Sequence, residues 1–223
     1  MRLRKISKRA FDLVATLAAS PLWLIARAER ALSRREHWFA AFAELLRLVP
    51  ARIGLFLRRA YYRRTLERCG EACYVGSLSA FAHREARVGN CVYIGARCTI
   101  GTEEIGDDAL IGSNVDVLSG RQRHNFDDPT RPVPERGGVF EKVRIGLDTW
   151  IGDLAVILAD VRDRCVVAAG ALVPKPEAPG GIAVGNLARI VGTRGARQPL
   201  ETRAPECRPA PRAEPSDAPL AEP

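Results

Sequence analysis

VRIGLDTWIGDLAVIL, residues 143–158, sets an aliphatic residue at every sixth position: Ile145, Ile151 and Ile157. The first two are each followed by glycine. The same step runs outward in both directions. Upstream lie Val75-Gly76, Val88-Gly89, Ile94-Gly95, Ile100-Gly101, Ile105-Gly106 and Ile111-Gly112; downstream Val167 and Val173 stay in phase. Two residues before many of these positions the side chain is small: Cys98, Ala109, Thr149, Ala155, Cys165 and Ala171. A sustained hexapeptide period predicts a parallel β-helix, in which one face of a triangular coil spends six residues. The large residue fills the centre and the small one fits nearer the corner.

Between residues 119 and 142 the period stops. The insert opens with SGRQRHNFDDP (119–129) and also holds Pro132, Pro134 and Gly137-Gly138. A long aperiodic loop inside a compact repeat is usually functional, and His124 lies near its start, just after the coil residue Val117. His37 and His83 lie in or near the N-terminal part, where a nonfunctional role is expected.

The repeat is flanked by two different regions, giving three parts: 1–68, 69–193 and 194–223. Up to Arg68 there are 16 Lys/Arg against 5 Asp/Glu, so this part carries +11 of a chain whose net charge is +8, leaving −3 for the rest. The cations are interleaved with the apolar runs FDLVATLAASPLWLIA (11–26) and WFAAFAELLRLVPARIGLFL (38–57), broken at Pro21 and Pro50. Neither run is a clean stretch of about 20 uncharged residues. The pattern predicts helices lying in or on an anionic membrane surface on its cytoplasmic side, with a helical domain packed on the repeat as the alternative. Asp12 and Pro21 interrupt the run that a secretory signal would need. Nucleic acid is not the expected partner, because no zinc-finger, helix-turn-helix or aromatic RNA-binding motif accompanies the charge. The tail from Arg194 is rich in Pro, Ala and charge, has no apolar period, and is expected to be disordered. Six cysteines form no CxxC pair, so no metal site is expected and a reducing compartment fits best.

Three motifs, Trp150-Ile151-Gly152, Val173-Pro174-Lys175 and Gly185-Asn186-Leu187-Ala188-Arg189, make residues 74–192 resemble the hexapeptide-repeat acyltransferases. The likeness is nearest to the maltose, galactoside and xenobiotic O-acetyltransferases; the apolar N-terminal part is similar to members acting in surface-polysaccharide synthesis. The resemblance implies a left-handed β-helix, a homotrimer with active sites between subunits, and acetyl-CoA as cosubstrate. It implies His124 as catalytic base, and a cofactor track over Trp150, Gly152, Ala155, Ala168 and Gly170, with Lys175 and Arg189 meeting the CoA phosphates. Two departures stand out. Leu187 replaces the usual proline, and the interval from Ile157 to Val161 is two residues short, which requires a tighter corner. The asparagine that binds acceptor sugars in galactoside-type members has no match; Gly95 holds its place, so acceptor chemistry does not carry over.

A histidine suits this chemistry. A sugar hydroxyl attacking a thioester must lose its proton, and a neutral imidazole can take it and return it to the departing thiolate, an effect of about 10²–10⁴-fold. Asp127, Asp128 or a backbone carbonyl could orient the ring. The expected function is therefore acetyl-CoA-dependent O-acetylation of a saccharide hydroxyl in surface-polysaccharide biosynthesis, at the cytoplasmic face of an inner membrane, with a lipid-linked acceptor left open. A serine acetyltransferase and a noncatalytic trimeric scaffold are the alternatives. A zinc carbonic anhydrase is excluded, because outside the N-terminal part only His83 and His124 are available as ligands.

Overall fold

The structure, a computed structural model, describes residues 11–33, 35–118, 125, 130–135, 137–138, 141–175 and 179–194. The repeat winds into a parallel β-solenoid. Its coils are built from two-residue strands that stack into three sheets. One sheet runs β1 (Arg68–Cys69), β4 (Arg87–Val88), β7 (Glu104–Ile105), β10 (Arg144–Ile145), extended by a bridge from Ile145 to Val161. The second begins with β2 (Tyr74–Val75), β5 (Tyr93–Ile94), β8 (Leu110–Ile111), β11 (Trp150–Ile151) and β13 (Val166–Val167). It ends in the antiparallel pair β15 (Gly181–Val184) and β16 (Arg189–Thr193). The third runs β3 (Ala80–Phe81), β6 (Thr99–Ile100), β9 (Asp116–Val117), β12 (Val156–Ile157), β14 (Leu172–Val173).

The period explains the register. The second residue of each strand from β2 to β14 points inward and stacks on its equivalent one coil away, as in Ile111, Ile151 and Val167. Ile94, Ile100, Ile111, Ile145, Ile151 and Ile157 are all buried, and each fully buried aliphatic side chain contributes about 1.5–3 kcal/mol. The small residues two positions earlier are buried beside them, from Cys73 and Ala86 to Ala155, Cys165 and Ala171. Three residues after many inward residues the chain turns through a left-handed conformation, at Ala72, Leu78, Cys91, Arg97, Asp108, Asn114, Asp148, Leu154, Arg164 and Gly170. Polar side chains next to these turns cap amides of the preceding coil: Asp107 accepts from Asn90 N at 2.7 Å, and Asp153 from Ser113 N at 2.6 Å. The short interval before Val161 does make a tight corner. Asp160 Oδ1 accepts from Arg144 N at 2.8 Å, and Val161 N donates to Arg144 O at 2.8 Å.

The N-terminal part is helical: α1 (Phe11–Ala18), α2 (Ser20–Leu32), α3 (His37–Arg47) and α4 (Ala51–Thr65). The prolines mark its breaks. Pro21 sits in the first turn of α2, where its missing N–H costs nothing, and Pro50 caps α4. The helical part packs on the repeat: α4 lies on β1 and β2, and α3 on β3. Tyr62 meets Phe81 edge-on at 4.9 Å, and Leu78 N donates to Arg47 O at 2.9 Å. The helices thereby close the open end of the first coil, whose inward face would otherwise meet water. Their outer surface still exposes Phe11, Leu13, Val14, Leu17, Leu24 and Ile25. No single described helix is long and apolar enough to cross a membrane; α1 and α2, bent by 55°, pass that test only as a pair.

Candidate functional site

The insert leaves the solenoid after β9 and returns at β10, so it separates two stacked coils that remain in register. His124, Asp127 and Asp128 lie outside the described residues. The adjacent Asn125 donates its N–H to Gly137 O at 2.9 Å, which ties the beginning of the insert to its later half. A short 3-10 turn over Val133–Glu135 lies between them.

The coils that follow carry the other predicted residues. Trp150 is the first residue of β11, so its side chain points out of the prism, and it is 53% exposed. It belongs to an outward apolar ladder in one sheet: Tyr74, Tyr93, Leu110, Trp150, Val166 and Ile182, each paired with the next. The rings of Tyr74 and Tyr93 stack at 4.5 Å. Sequence reading took the inward member of each step and missed this outward one. Its signal was available, since apolar or aromatic residues directly precede the inward residue on every third face.

After Ile151 the chain turns at Gly152, Asp153 and Leu154. This corner rests on that of the next coil, Ala168, Ala169 and Gly170: Gly152 N donates to Val167 O and Gly170 N to Asp153 O, both at 2.8 Å. Trp150, Gly152, Ala168 and Gly170 are thus gathered at one edge of the prism. Their roles differ. A Cβ on Gly152 would stand 2.6 Å from Ala169 N, so this glycine is required by coil-to-coil packing. Gly170 is the opposite case: it holds φ +69, and a Cβ there would meet nothing within 4 Å. The nine other described turns of this kind carry side chains, so Gly170 leaves open a surface that the fold does not need open. Ala155 is 0% exposed and faces the solenoid interior, so it cannot lie on an outer track.

Lys175 follows β14 and is exposed; Arg189 is exposed at the start of β16. The turn before Arg189 is clipped to β14, with Leu172 N donating to Gly185 O at 3.1 Å and Ala188 N to Leu172 O at 2.8 Å. Both cations therefore belong to the last coil and its hairpin: Lys175 ends the coil after that of Trp150, and Arg189 lies three strands beyond β11 in the second sheet. His83 is occupied elsewhere: its Nδ1 lies 2.9 Å from Glu36 Oε2, in the contact between helices and solenoid. No cluster of three metal-ligating side chains occurs among the described residues.

The comparisons agree with this architecture. The family model described as the hexapeptide repeat of succinyl-transferase matches residues 86–119 and 142–175, the repeats on either side of the insert. Probable acetyltransferase Rv3034c of Mycobacterium tuberculosis is 29% identical over 134 residues, 49% of this chain; the match spans 45% of that protein, less than half its length. Among solved structures, a maltose O-acetyltransferase from Clostridium difficile 630 superposes with a TM-score of 0.63 at 22% identity, over 70% of this chain and 84% of its own. A hexapeptide-repeat acetyltransferase of Vibrio cholerae, complexed with acetyl coenzyme A, gives 0.60 at 24% identity, over 69% and 84%. The chain carries the hexapeptide repeat on both sides of the insert, and its β-solenoid has the fold of these acetyltransferases.

Proposed function

We propose that the chain is an acetyl-CoA-dependent O-acetyltransferase acting on a saccharide hydroxyl of a surface-polysaccharide precursor. The observation that carries this reading is the edge that Trp150, Ala168 and Gly170 share: a half-exposed indole near a surface that Gly170 leaves open, on the two coils that follow the one that releases the insert. A pantetheine arm needs such a shallow, small-residue track, and Lys175 and Arg189 supply cations for its phosphates further along the solenoid. Gly152 supports the track through packing, and Ala155 is left out of it. Acetyl coenzyme A bound to the Vibrio cholerae protein of the same fold supports the choice of cosubstrate.

In this reading His124 is the general base. The imidazole takes the proton of the acceptor hydroxyl as its oxygen attacks the thioester carbon. The tetrahedral intermediate then expels the CoA thiolate, which receives that proton from the imidazolium. We place the enzyme, as a homotrimer, at the cytoplasmic face of an anionic membrane, where a lipid-linked acceptor would be within reach. The excess of 16 cations over 5 anions up to Arg68 and the exposed apolar side chains of α1 and α2 support that location. The outward ladder around Leu110 and Trp150 supports association between copies. The test is His124→Ala. Turnover should fall by about 10²–10⁴-fold while acetyl-CoA affinity is retained; unchanged turnover would remove His124 from the mechanism.

A further inference from the structure

The helical part contains a cavity of about 330 Å3 lined by Asp12, Thr16, Arg59, Ala60, Arg63 and Arg64, where α1 crosses α4. Three guanidiniums face one carboxylate. Arg59 is buried and already committed, since its Nη2 is paired with Asp12 Oδ1 and its guanidinium lies 5.3 Å from the centre of the Phe56 ring. The other two are poorly compensated. Among the described residues Arg63 pairs only with Glu71, at 3.9 Å, and that carboxylate is 77% exposed. Arg64 makes no ion pair among the described residues; it is steadied by the Trp23 ring at 5.5 Å and by donating to Ala60 O at 3.2 Å. Burial and the neighbouring charge of Arg63 both lower the Arg64 pKa, as expected for a cation held in place without an anion.

We propose that this cavity binds a phosphomonoester or diphosphate group. Arg64, without an ion pair among the described residues, and Arg63, offset only by an exposed carboxylate at 3.9 Å, match a group carrying about two negative charges, better than the single charge of a carboxylate or phosphodiester. The rim suits an amphiphile as the bearer of that group: Phe11 stacks on Phe56 at 5.8 Å, and Leu13, Val14 and Leu17 on the same helix are exposed. Asp12 acts as the resident competitor for Arg59. The proposal is independent of acetyl transfer and of His124.

The experiment uses the full chain. Inorganic pyrophosphate is titrated calorimetrically into wild type, Arg63→Gln/Arg64→Gln, and Arg27→Gln/Arg30→Gln, which removes two exposed cations of α2 away from the cavity. Saturable binding should weaken by about tenfold or more in the first variant and stay unchanged in the second. Asp12→Asn should bind pyrophosphate several-fold more tightly, an outcome that misfolding cannot imitate. Flotation with phosphatidylcholine vesicles containing phosphatidic acid, or phosphatidylglycerol at equal mole fraction, then separates the sources. Preference for phosphatidic acid, lost in Arg63→Gln/Arg64→Gln, assigns a lipid headgroup; pyrophosphate binding without that preference assigns a soluble phosphate. Absence of saturable pyrophosphate binding, or equal weakening in both double variants, would overturn the proposal.

Discussion

Arg58 is the side chain on which the attachment of the helices to the solenoid most depends. It is 1% exposed and has no carboxylate partner in its hydrogen-bond set. Its Nε donates to Val75 O in β2 at 3.0 Å, and its Nη1 donates to Leu46 O at 3.0 Å and Val49 O at 2.8 Å, beyond which α3 has run out of amide donors. Burial lowers its pKa, but three converging carbonyls and the negative end of α3 favour the charged form. Arg58→Met keeps the apolar stem and removes every donor. Losing the bond to Val75 O strands a buried acceptor, at about 1–3 kcal/mol, and losing the bond to Leu46 O, which still accepts from Val49 N at 3.3 Å, costs about 0.5–1.5 kcal/mol more. Relief from burying a guanidinium offsets part of that cost, leaving about 2–4 kcal/mol. Because a solenoid couples only neighbouring coils strongly, the loss should stay local. Hydrogen exchange followed by mass spectrometry should show protection falling about 30- to 1,000-fold in α3, α4 and β2, with β8 to β14 unchanged. A change below about 1 kcal/mol, or an equal loss throughout the solenoid, would refute this account of the attachment.

Two further outcomes concern Glu29 and Gly170. Burial would raise the pKa of Glu29, but the amides of Trp38 and Phe39 at the start of α3, together with the Arg84 guanidinium, outweigh it and hold the group below its ordinary value of 4.5. A depressed carboxylate stabilises the folded state above its unfolded pKa, and the contribution disappears as pH falls through the folded pKa. Stability measured by denaturant titration should therefore gain nothing from Glu29 as pH rises above about 6 and decline below 4.5, and Glu29→Gln should remove that part of the decline; an identical pH profile in the variant would contradict the assignment. At the candidate site, Gly170→Leu should cost about 1 kcal/mol of stability, since Leu78 and Leu154 already adopt the same turn conformation. Acetyl-CoA affinity should nevertheless fall by about tenfold or more, and unchanged affinity would take Gly170 off the track.

The solenoid was legible because its register repeats a local rule. Ile145, Ile151 and Ile157 each announce one face of a coil, and even the shortened interval before Val161 read correctly as a tight corner, closed by Asp160. The helical cap was legible in type but not in attachment. Nothing in its letters separates Arg58, buried between α3 and β2, from the exposed Arg27 or Arg30, because burial arises only once distant segments meet. The Glu29–Arg84 contact spans 55 residues for the same reason. At the site, motif matching gathered Trp150, Ala168 and Gly170 but treated every small residue alike. Geometry separates them: Ala155 fills the interior, Gly152 permits coil packing, and Gly170 leaves surface open.

The central claim is that this surface receives acetyl-CoA, and the most direct test is thermal and denaturant stability of the full chain with and without saturating acetyl-CoA, with free coenzyme A for comparison. Binding does not depend on guessing the acceptor. At about 100 times its dissociation constant the ligand should add roughly 2.7 kcal/mol to the folded state, and Gly170→Leu should lose most of that gain. A folded protein whose stability is indifferent to acetyl-CoA at every concentration would contradict the account and favour a noncatalytic scaffold.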